Sequence, residues 1–378
     1  MYSLAIIGGK LQGVEAAYLA GKAGIRTMLV DKNPYAPARN LCDEFLCMDV
    51  LEMDEMLIER LKEADIVLPA IENCDVLEKL RCLSEEEEII MAFDFEAFAV
   101  TASKKSSDRL FHKYDIPSPK YYPHCKAPYI VKPSSGSGSS GVKFVGNEIE
   151  LSEILEQYSK SDELIVQEFL AGKSYSIEII GKPGFYKTYE ITEIIVDESY
   201  DCKRVTAPCY IPETQKEQLR NIAAGIAERI GLKGVMDVEV IDDGGIMKVL
   251  EIDARIPSQT PTVVYHCTGV NLVEELFHLF LTGDLSDAKG GRYKNVSYEH
   301  ILVEKNNASI LGEHIMGECE YLEHIFGLFG SDEVLTDYRK SSECWRGTFI
   351  NVGDDIEEVE SKRKRVRKNI YREEDLRV

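Results

Sequence analysis

Two stretches of this chain carry residue types suited to phosphate chemistry. The first is Lys132-Pro-Ser-Ser-Gly-Ser-Gly-Ser-Ser-Gly141, in which three glycines and five serines follow a lysine. Glycines let backbone approach an anion closely, hydroxyls and amides donate to its oxygens, and Lys132 adds fixed positive charge. Ser135, Gly136, Ser139 and Ser140 are therefore candidate phosphate contacts. A flexible linker has the same composition. Here, however, the strand-like runs PYIVKP and VKFV stand immediately on either side, as expected of a tethered loop. The Gly-Lys-Ser/Thr ending of the common P-loop is missing, since the lysine comes before the glycines.

The second stretch pairs Glu239, in GVMDVEVI, with Glu251-Ile-Asp253-Ala-Arg255, in IMKVLEID and its continuation, across an Asp-Asp-Gly-Gly turn at 242–245. The pattern predicts a hairpin, and period-two alternation puts Glu251, Asp253 and Arg255 on one face. Neighbouring carboxylates repel unless a cation sits between them, and Mg²⁺ carrying nucleotide phosphates takes such hard oxygen ligands. Arg255 beside them suits a developing oxyanion or a phosphoryl group in transfer. The plain alternative is a solvated strand face. Asp237 shares the face of Glu239 and is expected to be solvated, with a hold on a substrate ammonium group as its other reading.

At the N-terminus Gly8-Gly9-Lys10-Leu11-Gln12-Gly13 follows a strand and opens a helix, and Asp31 ends the next strand, an arrangement close to a dinucleotide fingerprint. The middle glycine of that fingerprint is Lys10 here, which weakens a nicotinamide-dependent dehydrogenase reading. The helix N-terminus still suits a carboxylate or phosphate. Lys10 and Asp31 at this turn, and Glu72 just past the strand DIVLPA, are candidate substrate contacts at the sheet crevice, or equally solvated loop charges.

These residues need elements to hold them. Up to about Phe95, short apolar runs (SLAIIG, RTMLVD, DIVLPA, EIIMAF) alternate with helical stretches, which predicts a doubly wound α/β domain of about five strands. A helix over 103–114 leads to a small α+β lid, a helix over 213–230 precedes the hairpin, and a charged helix spans 356–368 near the end, where a solvated face explains its basic run. With 44 Lys plus Arg against 66 Asp plus Glu, the net charge of −22 argues against nucleic acid or anionic lipid as partner. Ten cysteines without a CxxC pair, no signal-like N-terminus and no long apolar run point to a soluble protein of the cytoplasm. The seven histidines show no metal-ligand spacing.

Together these residues resemble the ATP-grasp superfamily of carboxylate-amine ligases. The resemblance implies an N-terminal Rossmann-like domain over 1–97, an ATP-grasp domain over 98–300 with its lid at about 127–175, and a small C-terminal domain over 301–378. It implies ATP and Mg²⁺ as cofactors, with Lys104, Lys132 and the 134–141 loop at the phosphates and Glu168, Phe169 and Leu170 at the adenine. Glu239, Glu251 and Asp253 would hold the metal, Asp253 replacing the more frequent asparagine, and Arg255 would stabilise the tetrahedral oxyanion. Ser174 stands where a ribose-binding glutamate is usual. The chemistry implied is an acyl phosphate opened by an amine, in a dimer by family habit. The wording of GGKLQGVEAAYLAG and EIDARIPSQTPTVVYHCTGVN is similar to the pyrrolysine-assembly branch, which joins 3-methyl-D-ornithine to the ε-amine of L-lysine. That similarity implies L-lysine near Leu11, Gln12 and Glu72, and the ornithine near Arg255, Ser258, Gln259 and Thr260. Carboxylases and purine-pathway ligases use the same clamp, and a sensor without turnover is a third reading.

Overall fold

The computed structural model describes residues 2–134, 141–157, 164–286, 290–291, 293–305, 307–340 and 342–375. The apolar runs near the N-terminus are buried along most of their length, as parallel strands covered on both faces must be. Strands β1 (Ser3–Ile7), β2 (Arg26–Asp31), β3 (Glu44–Cys47) and β4 (Ile66–Pro69) form a parallel sheet in the order β3-β2-β1-β4. Helices α1 (Leu11–Lys22), α2 (Glu55–Lys62) and α3 (Cys74–Glu86) belong to the same domain. The fifth strand expected at EIIMAF reduces to a single parallel bridge, Val67 to Met91. Glu88 turns the chain with φ 57, and only Ile89 and Met91 of the run enter that core.

Helices α4 (Phe95–Thr101) and α5 (Lys104–Lys113) start on the side-chain caps Asp94 and Ser103. The expected lid follows as an antiparallel sheet of β5 (Tyr129–Pro133), β6 (Lys143–Val145) and β7 (Leu164–Glu168), with α6 (Glu148–Gln157). Tyr129, Val131, Val145 and Leu151 form its small core.

The remaining chain builds one large antiparallel sheet. Its strands are β8 (Ser174–Lys182), β9 (Phe185–Thr188), β10 (Thr192–Val196), β11 (Cys202–Ala207), β12 (Gly234–Asp243), β13 (Ile246–Asp253), β14 (Asn295–Glu304), β15 (Asn307–Ile310), β16 (Glu323–Phe326), β17 (Glu333–Thr336) and β18 (Cys344–Gly353). The order is β13-β12-β8-β10-β11-β14-β18-β17-β16, with β9 beside β8 and β15 beside β14. Helices α7 (Glu213–Ile230), α8 (Thr260–Thr268), α9 (Leu272–Thr282), α10 (His314–Gly317) and α11 (Ile356–Asp375) accompany it. Helix α7 covers the 213–230 expected, stopped by Gly231 in the left-handed conformation at φ 67. Its Leu219, Ala223, Ile226 and Ala227 bury against Ile177, Met236, Val238, Val240 and Ile252, which fixes one face of β8, β12 and β13 as core. The alternate residues are thereby aimed at the opposite face. The boundary expected at 300/301 falls inside β14, which pairs with β11 on one side and β18 on the other, so the C-terminal segment continues the clamp's own sheet.

The basic run near the C-terminus is solvated as expected at Lys364, Arg365, Arg367 and Lys368, but Lys362 and Arg363 turn inward. Val359, Val366 and Ile370 of α11 are buried, Lys362 pairs with Asp332 at 2.9 Å, and Arg363 grips Glu299 with Nη2 to Oε2 at 2.5 Å. A second ionic knot ties the C-terminal segment to α1. Glu333 of β17 accepts from Tyr18 at 2.7 Å and Lys22 at 2.8 Å, both on α1, and contacts His324 Nε2 at 2.6 Å. Burial alone would raise this carboxyl, but His324, Lys22 and Tyr18 overcome it and hold Glu333 at about 2. A depressed carboxyl stabilises the fold above its unfolded value, and that contribution is lost as pH falls toward the folded one. Glu333→Gln is expected to cost about 1–3 kcal/mol in urea unfolding at pH 7. The gap to the unsubstituted protein should narrow as pH falls from about 5 toward 3.

Candidate active site

The hairpin register sets the site. Glu239 lies opposite Glu251 and Asp237 opposite Asp253, while on its other side β12 sets Asp237 against Glu178 of β8. The face turned away from α7 therefore carries a carboxylate row Glu178, Asp237, Asp253 and, one step along, the pair Glu239 and Glu251. Asp237, expected to be solvated, is 5% exposed, because β8 and β13 flank it on both sides. Its Oδ1 has no hydrogen-bond partner, nor has either oxygen of Glu178. Burial raises Glu178, Asp237, Glu239 and Asp253. Glu239 is pushed up to about 8, with Glu251 and Asp253 adding repulsion, and Asp253 to about 7, with Arg255 opposing. Burial and Asp253 lift Asp237 well above the usual carboxylate range. Such crowded oxygens fit a hard divalent cation, and Glu239, Glu251 and Asp253 are placed to hold Mg²⁺.

Lysines approach the row from the lid side. Lys104 Nζ is 2.6 Å from Glu251 Oε1. Lys132 is buried, which lowers its ammonium pKa, with Glu251 the strongest opposing charge. Both line a cavity of about 330 Å³ together with Glu168, Phe169, Leu170 and Ser174. This brings the expected nucleotide contacts together, apart from Ser135, Gly136, Ser139 and Ser140, which lie outside the described residues. Two details differ from simple expectation. The Phe169 amide already donates to Pro128 O at 3.0 Å. Glu168 Oε1 accepts from Lys248 Nζ at 2.7 Å and from Lys120 N at 2.9 Å.

A smaller pocket of about 110 Å³ shares Tyr200, Glu239 and Glu251 with this cavity and adds Asp237, Asp253, Arg255, Ser258, Gln259, Thr260 and Glu313. Arg255 Nη2 contacts Asp253 Oδ2 at 3.1 Å, and its Nε forms a 2.8 Å ion pair with Glu72 Oε1 without hydrogen-bond alignment. Burial would lower the guanidinium pKa; Asp253 and Glu72 more than reverse it. Arg255 thus joins the clamp to the N-terminal domain. There, Lys10, Leu11, Gln12, Asp31 and Glu72 line one cavity of about 450 Å³. Gln12 Nε2 donates to Glu72 Oε1 at 2.8 Å. Asp31 Oδ2 accepts from Gly9 N at 2.7 Å and Oδ1 from Asn33 N at 2.7 Å, so its carboxylate is held by backbone. A Cβ on Gly13 would stand 2.0 Å from Gly8 O, so this glycine serves packing of α1 on β1.

Three residues were not legible as parts of this site. Glu15 of α1 accepts from Thr262 N at 2.5 Å and so caps α8 from another domain, its carboxyl raised to about 7 by burial. Glu178 was visible only as one charge in a strand. Glu313 arrives from the C-terminal segment and accepts from Ser258 Oγ and Gln259 Nε2, each at 2.7 Å.

A lid sheet and an antiparallel clamp closing on lysines and a carboxylate row define an ATP-grasp protein. The ATP-grasp domain model matches residues 102–259, and the PylC-like N-terminal domain model matches residues 4–92. Among solved structures, the fold is similar to the ADP complex of an N5-carboxyaminoimidazole ribonucleotide synthetase, with TM-score 0.72, 19% identity and coverage of 99% of this chain and 98% of that one. It is also similar to an L-amino acid ligase from Bacillus licheniformis, with TM-score 0.68, 16% identity and coverage of 99% and 97%. The chain is 36% identical over 367 residues to the 3-methyl-D-ornithine--L-lysine ligase of Methanosarcina acetivorans, covering 96% of each chain. It is 37% identical over 364 residues to that of Methanosarcina barkeri, again covering 96% of each. The chain belongs to the family of these ligases.

Because a ligand that binds only the folded state raises its melting temperature, Mg²⁺ with ADP should stabilise the protein in a thermal-shift assay. Asp253→Ala and Lys132→Met should each remove more than half of that shift.

Proposed function

We propose that this chain is an ATP-dependent, ADP-forming ligase that joins 3-methyl-D-ornithine to the ε-amine of L-lysine in pyrrolysine biosynthesis. The observation that carries this reading is the place of Arg255, between the pocket beside the nucleotide cavity and the separate N-terminal cavity. Two substrates can approach one guanidinium from opposite sides. Both pockets are lined by carboxylates, which suits amino acids that each bring an extra ammonium group.

Lys104 and Lys132 would hold the triphosphate, and Glu239, Glu251 and Asp253 would hold Mg²⁺, which when bound would neutralise charge on the transferring phosphoryl group. A carboxylate oxygen of the ornithine, held beside this row, attacks the γ-phosphorus, and ADP leaves. The lysine ammonium, drawn in by Glu72, first gives up one proton to solvent, and the neutral amine then attacks the acyl carbon. As the amine occupies Glu72, Arg255 is released from that partner and turns its N–H groups to the oxyanion. Phosphate departs, the nitrogen loses its proton and the isopeptide remains. Positioning and charge neutralisation do the work, without a side-chain nucleophile. All ten cysteines are unpaired, and no helix among the described residues is long and apolar enough to cross a membrane. Both fit an enzyme of the cytoplasm, and we expect a homodimer.

The test is ADP release from ATP and Mg²⁺ with L-lysine plus D-ornithine, followed by mass analysis. ADP is expected only with both amino acids, along with an isopeptide mass. Turnover with bicarbonate or a nucleotide instead would replace the substrate assignment. Arg255→Lys, which loses the planar fork, should lower kcat at least about 100-fold while ATP affinity changes less than about 3-fold.

A further inference from the structure

Glu313 lies outside every sequence signature of the site, yet it is built into the acyl pocket. It sits in the turn between β15 and α10, and that turn is fastened from below. Gly312 N donates to Asp197 Oδ2 at 3.0 Å, and Asp201 Oδ2 accepts from His314 N at 3.1 Å and contacts the His314 ring at 2.5 Å. A Cβ on Gly312 would stand 2.0 Å from Asp201 Oδ2, so only glycine lets the turn come this close. The result aims one carboxylate from the C-terminal segment at the N-terminus of α8.

There Glu313 Oε2 takes both Ser258 Oγ and Gln259 Nε2, while the Cys202 thiol donates to Gln259 Oε1 at 3.2 Å. Gln259 is held at φ 70, in the left-handed region, between these two anchors. Both recorded bonds to the Glu313 side chain fall on Oε2, leaving Oε1 without a hydrogen-bond partner among the described residues. Asp237 lines the same pocket, buried and with Oδ1 equally unpartnered. Two carboxylate oxygens thus line a pocket of about 110 Å³ in which, among the described residues, Arg255 is the one lining cation.

The two are not equivalent. The reacting carboxylate must lie where this pocket meets the nucleotide cavity, at Glu239 and Glu251, which line both. Asp237 lies two residues from Glu239 along β12, whereas Glu313 enters the same pocket from the turn between β15 and α10, fastened to Ser258 and Gln259. We infer that Glu313 Oε1 binds the distal ammonium of the acyl donor and selects a diamino acid over a monoamino acid of the same length, while Asp237 takes the ammonium next to the reacting carboxylate. The inference rests on the proposed ligase reading.

The test compares D-ornithine with D-norvaline, which lacks only the distal ammonium, by ADP release with ATP, Mg²⁺ and L-lysine. The unsubstituted enzyme should strongly prefer D-ornithine. Glu313→Gln keeps an acceptor for Ser258 and Gln259 but removes the charge. It should raise KM for D-ornithine about 30- to 100-fold, leave D-norvaline within about 3-fold, and so collapse the preference, with ATP affinity unchanged. Glu313→Asp should recover part of it. An equal loss with both substrates would assign Glu313 a merely structural role and overturn the inference, as would an unchanged preference. If the unsubstituted enzyme releases no ADP with any diamino acid, the ligase reading fails, and this inference with it.

Discussion

The structure depends on one electrostatic constraint, that five carboxylates share a single face of β8, β12 and β13. Like charges in a low-dielectric setting raise one another's proton affinity or demand a cation. The fold answers locally with Lys104 on Glu251 and Arg255 on Asp253, and leaves both carboxylate oxygens of Glu178 and Oδ1 of Asp237 without hydrogen-bond partners. That residual demand is directional. It favours cationic ligands at the places where charge must be neutralised during phosphoryl transfer.

Holding such a face open requires rigidity elsewhere. The opposite face is packed against α7 by an uninterrupted apolar set. The N-terminal domain is pinned to the clamp by Glu15 on the N-terminus of α8 and by Asn271 Nδ2 on Leu19 O at 2.8 Å. Glu333 adds the third tie, from the C-terminal segment to α1. Each is a hydrogen-bonded charge or amide in a buried seam, where misplacement leaves an unpaired group and so enforces one docking geometry.

What was readable in the sequence had short range. The hairpin announced itself through alternation and an Asp-Asp-Gly-Gly turn, and α7 through its amphipathic period and terminal glycine. The Gly/Ser loop after Lys132 and the carboxylates around Glu251 were enough to name a superfamily. What escaped was set by tertiary pairing. Glu15 and Thr262 are 247 residues apart, Gln259 and Glu313 54 apart. Asp237 read as solvated because alternation says which face a residue takes and not what will cover that face. The same limit explains Lys362 and Arg363, whose partners Asp332 and Glu299 come from other strands. EIIMAF does reach the sheet edge beside β4, with Val67 N donating to Ile90 O and Ala92 N to Val67 O, each at 2.8 Å, but pairs too briefly to extend into a strand.

The continuity of β14 between β11 and β18 makes the C-terminal segment inseparable from the clamp. Removing β14 and everything that follows it would expose β11's row of unpaired N–H and C=O groups at the edge of the clamp sheet, an invitation to intermolecular pairing. A segment that in sequence looks like an appended module is in structural terms the sheet's own border. It could not be lost, swapped or shuffled as a unit without the rest of the chain finding another way to close its edge.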